Sequence, residues 1–179
     1  MSICDDIQQG ARFKGRLFPV GHTIGFSVVR PIYASIEIER LLYGEKQDQD
    51  WKNRIAALGA DFDRYLDGNV IHAALSDPNK PYARKQLSLV RQLWPASGEV
   101  WEIRNRNMKP TIRIFGRFAA KDWFIALTWA TRPELKEPAS PHWKQAIADC
   151  STKWDELFNK HPPLTRVNLH DYISNAISL

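Results

Sequence analysis

Cysteine is nearly missing: Cys4 and Cys150 are the two present in 179 residues. One stands near the start and the other in a predicted helix. Such a pair makes no disulfide framework, and no Cys/His spacing suits a zinc site. No apolar run reaches the ~20 residues that a membrane-spanning helix needs. The opening MSICDDIQQG is polar and acidic, unlike a secretory leader. No Gly-rich phosphate loop, Gly-x-Ser-x-Gly elbow or paired-carboxylate signature occurs, which speaks against nucleotide hydrolases, esterases and metal nucleases. Internal repeats and low-complexity stretches are lacking too. These absences predict a soluble cytoplasmic protein with no metal, no cofactor and no membrane partner.

What is present is a basic excess with a definite address. The net charge is +5. Residues 1–79 hold nine Lys/Arg against eleven Asp/Glu, and residues 118–179 hold seven of each. Residues 80–117 hold nine Lys/Arg and two acids, Glu99 and Glu102, a local net of +7. A cluster of this kind is the electrostatic footprint of a polyanion binder, and RNA is the expected partner. A solvated basic face, or one matched to an acidic protein, is the plainer reading. The seven Trp either fill a core or serve as stacking platforms.

Periodicity predicts an α+β fold in a single domain over 23–179, preceded by a loosely ordered arm over 1–22. TIGFSVVR (23–30) reads as a first strand and 33–43 as a helix. A longer helix covers 49–67, with Trp51, Ile55, Leu58, Phe62, Tyr65 and Leu66 at helical spacing and Asp67-Gly68 as its stop. A further helix is expected over 82–94, with Leu87, Val90 and Leu93 inward and Arg84, Lys85 and Arg91 outward. Three strand candidates follow at 99–105, 111–118 and 123–130. The short links NRNMKP and AAKD predict an antiparallel meander. Ser140-Pro141 opens a helix over 141–158, and a last helix is expected over 169–178.

Alternation along the three strands sorts their side chains. Ile112, Ile114 and Phe118 share one side. Arg113, Phe115 and Arg117 share the other, and Arg104 is placed with them across from Trp101 and Ile103. Trp123, Ile125, Leu127 and Trp129 alternate against Phe124, Ala126 and Thr128. This predicts one apolar face covered by helices and one face bearing Arg104, Arg113 and Arg117 beside Phe115 and Phe124. Guanidiniums suit phosphates and rings suit bases. Arg side chains that lie over apolar neighbours and reach to water are the bland alternative.

VWEIR (100–104), IRIF (112–115) and FIALTWATRPEL (124–135), taken in order, resemble the RelE/ParE toxin superfamily, nearest its HigB-like branch. The upstream KQL (85–87) resembles the segment leading into the first of these motifs. The resemblance covers roughly residues 60–136. It implies a RelE-like twisted antiparallel sheet with helices packed on one face, here extended at both termini. It also implies a type II toxin–antitoxin toxin that cleaves mRNA, often on the ribosome, and a cognate antitoxin as partner. By the same resemblance Arg104 and Arg113 match the motif arginines, and Lys80 and Lys85 match upstream basic residues that bind substrate. Arg132 follows the last strand. The chain departs from the family in its length, in TWATRPEL where F-x-K-K is usual, and in lacking an aligned late Tyr or His.

Metal-free RNA cleavage uses the substrate 2′-OH as nucleophile, so the protein must stabilise a pentavalent phosphate and move protons. Arg104, Arg113 and Lys85 are the catalytic candidates. Lys80, Arg84, Arg117, Arg132 and Phe115 are the RNA-binding ones. Arg cannot act as base, and His72, His142, His161 and His170 read more readily as structural or exposed residues, so the base is unassigned. Trp101, Trp143 and Trp154 lie on apolar stripes and read as core, while Trp129 ends a strand at a cleft rim. Two other readings stay open: a ParE-like gyrase inhibitor, and a non-enzymatic nucleic-acid-binding protein on the same sheet.

Overall fold

The computed structural model describes the chain except residues 1–2, 10–12, 14, 23–26, 46–47, 81–87, 106–107 and 160. Its centre is an eight-stranded mixed sheet. In chain order the strands are β1 (Leu17–Pro19), β2 (Ile32–Ser35), β3 (Ile71–Ala74), β4 (Val90–Gln92), β5 (Trp101–Arg104), β6 (Ile112–Ala120), β7 (Trp123–Thr131) and β8 (Ala176–Ser178). Across the sheet they run β1-β2-β7-β6-β5-β4-β3-β8. β5 to β7 form the expected antiparallel meander, and β4 extends it by pairing antiparallel with β5. β2 lies parallel to β7, and β3 lies parallel to both β4 and β8.

The helices are α1 (Ile3–Gln8), α2 (Ile36–Tyr43), α3 (Gln49–Leu66), α4 (Arg132–Leu135) and α5 (Pro141–Phe158). Local chemistry sets their starts. Ser35, Asp48 and Ser140 each cap the helix that follows, accepting from Ile38, Trp51 and Trp143 N–H respectively. The helices cover both faces, not one. α2 and α3 bury Ile38, Leu41, Leu42, Leu58 and Phe62 against Ile114, Phe118 and Phe124. α1 and α5 bury Ile3, Ile7, Trp143, Cys150 and Trp154 against Phe115, Ile125 and Leu127. The fold is α+β, with an apolar core on each side of the sheet.

Several expectations need correction. The first 22 residues are not a loose arm where described: Ile3 and Ile7, one helical turn apart, are buried, and β1 pairs with β2. Residues 27–30 form no strand, and the strand lies instead at β2, at the front of the expected 33–43 helix. Residues 88–94 are not helical. β4 sits between β3 and β5 with Leu89, Val90 and Leu93 buried, and a strand covered on both faces shows an apolar run that mimics a short helix. The last segment makes a 3-10 turn at Leu169–Asp171 and then β8. Asn175, at φ +52°, breaks the helix that its apolar spacing suggests. Of the expected 82–94 helix, residues 82–87 lie outside the described residues, as do 23–26 of the expected first strand.

The expected faces hold for β5 and β6 but reverse over residues 123–127 of β7, while Thr128 and Trp129 keep theirs. The β6–β7 register shifts between Phe115 and Gly116 and again between Phe118 and Ala120. Phe118 therefore pairs with Phe124 and Arg117 with Ile125. Phe124 joins the core under α3, away from the arginines, while Ile125 and Leu127 join the α5 side. An alternation count cannot see such irregularities.

Candidate functional site

The arginines of β5 and β6 meet one carboxylate. Glu102 is fully buried, with Arg113 at 2.8 Å on one oxygen and Arg91 at 2.9 Å on the other. The pairing follows from register, because Glu102 opposes Arg91 on β4 and Phe115 on β6. Burial by itself raises the Glu102 carboxyl, but Arg113, Arg91 and Arg104 outweigh that and hold it below the ordinary carboxylate value. Arg104 grips Ser88: Nε and Nη2 donate to its carbonyl at 3.1 and 2.9 Å, and Nη2 donates to its hydroxyl at 2.6 Å. Arg117 Nη2 donates to Ser151 Oγ of α5 at 2.7 Å.

α5 lies along this row and roofs it with indoles. Arg113 stands 5.9 Å from the Trp143 ring and Arg117 stands 6.0 Å from the Trp154 ring. Eleven helical residues rise ~16 Å, close to the ~13 Å that four strand residues span, so helix and strand keep step. Arg132, the first residue of α4, comes within 5.8 Å of Trp143, so two guanidiniums lie near that ring. Phe115 is wholly buried edge-on to Trp143 and offers no face to a base. Arg104 and Arg117 are each 7% exposed. The row reaches solvent through Arg91, Arg113 and Arg132, whose side chains are 15%, 12% and 32% exposed.

Arg91, Arg104 and Arg113 surround Glu102. Arg91 belongs here and not to an exposed helix side, because β4 replaces the expected helix. Lys80 is exposed in the loop after β3. Arg84 and Lys85 lie outside the described residues. The histidines stand elsewhere: His72 is exposed on β3, His170 is exposed, and His161 pairs with Asp6 at 3.1 Å.

A second feature was not expected. β2 and β7 are adjacent and parallel, yet β2 leads into α2 on one face while β7 leads through α4 into α5 on the other. Connections that part in this way open a crevice at the C-terminal ends of the strands. Two cavities of about 650 and 490 Å³ occupy it and share Glu37, Trp129 and Lys153 as common wall. Trp51 and Trp129 meet there at 5.8 Å, tilted by 58°. His142, at the start of α5, lines the smaller cavity. Desolvation within the crevice raises the Glu37 carboxyl and Asp149 adds to this, against a backbone hydrogen bond from Trp129 and the charge of Lys153.

Among the described residues no helix is long and apolar enough to cross a membrane, and no cluster of three His, Cys, Asp or Glu could hold a metal ion. Comparison with protein-family models, with curated proteins and with solved structures yields no match.

Proposed function

We propose that the protein acts on RNA through the basic row on β4, β5 and β6, as a toxin of the RelE/ParE kind with a cognate antitoxin. The observation that carries the reading is the gathering of guanidiniums around Glu102 on β4, β5 and β6. Its exposed rim, near Arg91, Arg113 and Arg132, offers a docking phosphate charge-assisted hydrogen bonds. For cleavage, the same groups would stabilise the pentavalent phosphate while the substrate 2′-OH attacks.

A binding protein that does not cleave is the second reading, and one observation favours it. Arg104 is committed to Ser88 and Arg113 to Glu102, and no histidine is among the described partners of the row. A single experiment separates the two. Wild type, Arg132→Ala and Arg113→Lys are induced in a bacterial host, growth and transcript 5′ ends are mapped, and the purified proteins are titrated with single-stranded RNA. New 5′ ends and growth arrest that both variants relieve establish cleavage at the row. RNA binding about tenfold weaker in Arg132→Ala, with intact transcripts, establishes the binder. Absence of RNA binding by wild type at low salt removes both readings.

A further inference from the structure

The crevice between α2, α3 and α5 has the opposite electrostatic character to the arginine row. Glu37, Glu45, Asp48, Glu134, Asp149 and Glu156 line it against Arg40 and Lys153, six carboxylates to two cations. Some of these acids have local duties. Asp48 caps α3, Glu134 closes the capping box of α4, and Glu156 pairs with Lys153 at 3.3 Å. Glu37 is different. It stands on the first turn of α2 at the wall shared by both cavities, beside the half-buried Trp129. Position, size and chemistry coincide: the crevice lies where neighbouring parallel strands send their helices to opposite faces, it has room for a small ligand, and its wall joins an indole to an acid.

We propose that this crevice binds an organic cation of the guanidinium or ammonium class, held against Trp129 with Glu37 as its counter-charge. Indole is the best of the aromatic side chains for a cation, and a carboxylate beside it adds a charge-assisted hydrogen bond. The neighbourhood already shows the preference: Arg54 lies over the Trp51 ring at 5.3 Å. The acidic surplus disfavours phosphate-bearing ligands, so the site is separate from the RNA row and does not depend on the RNA reading. Two sources present this chemistry, a free amine and the basic side chain of a polypeptide.

Isothermal titration calorimetry tests the proposal on the full chain. The probes are agmatine and an end-capped Gly-Arg-Gly peptide, with adenosine monophosphate as the anionic comparison, against wild type, Trp129→Leu and Glu37→Gln. Glu37 is exposed at the crevice wall, so its replacement keeps the fold even if Trp129→Leu, which loosens the Trp51 contact, does not. The expected result is saturable binding of a cationic probe, weakened about tenfold or more in Glu37→Gln. Binding of both probes points to a free amine as sufficient, and binding of the peptide alone points to a polypeptide source. The proposal is overturned if neither cation binds, if Glu37→Gln binds as tightly as wild type, or if adenosine monophosphate binds more tightly than either.

Discussion

Glu102 holds a disproportionate share of the order in the arginine row. Glu102→Gln removes the buried carboxylate that Arg91 and Arg113 share, and breaking such a pair costs about 3–5 kcal/mol. Because the folded carboxyl lies below its ordinary value, its stabilising effect is fully present above the unfolded value of about 4.3. It is lost as pH falls through the folded value. Urea denaturation of wild type and Glu102→Gln across pH 3–7 should show a gap that is full at neutral pH and narrows in acid. A constant gap would mean that the charge is not what matters. The two thiols make a second residue-scale case. Burial pushes Cys150 up to about 12 and, with Asp5 adding to it, Cys4 up to about 11. Thiolate is the reactive form, so iodoacetamide at pH 8 should label neither thiol quickly in the native protein and both in urea. Fast native labelling of Cys150 would contradict its place on the buried side of α5.

At the scale of elements, Gly116 decides how β6 and β7 fit. A Cβ there would lie 2.1 Å from the Ile125 carbonyl oxygen and 2.5 Å from the Phe124 ring. Gly116→Ala is expected to cost about 2–3 kcal/mol, read as a lower denaturation midpoint; an unchanged midpoint would mean that the strands can part cheaply. The same position explains what could and could not be read from the chain. The helix over α3, the helix over α5 and the meander were legible, because long amphipathic spacing and caps such as Ser140-Pro141 are local signals. The shared face of Arg104, Arg113 and Arg117 followed from alternation, and the full burial of Glu102 beside them did not. A register shift near Gly116 is a property of two strands together, and it turned Phe124 away from the arginines. β4 was misread because residues 88–94 look alike as a short helix and as a covered strand. The crevice could not be foreseen either. Glu37, Trp51, Trp129 and Lys153 are scattered over more than a hundred residues, and it is the parallel pairing of β2 with β7 that gathers them.

For the whole molecule the charge layout predicts an ionic-strength signature. The +7 of residues 80–117 sits in a chain that is otherwise nearly balanced, so RNA affinity should fall steeply with added salt. A row that neutralises about three phosphates gives a log–log slope near −2 for single strands. Titrations in 50–300 mM KCl measure it, and a flat profile would show that the contacts are not with phosphates.

The order of the sheet has one more result, which concerns self-association. Its two outer strands, β1 and β8, come from opposite ends of the sequence, and each is three residues long. Short borders of this kind give a neighbouring molecule little backbone to zip onto. They act as bookends for the longer strands inside. Clipping by a protease at either end of the chain would remove a bookend, and the unpaired amides of β2 or β3 would then become a template for stacking copies of the protein edge to edge.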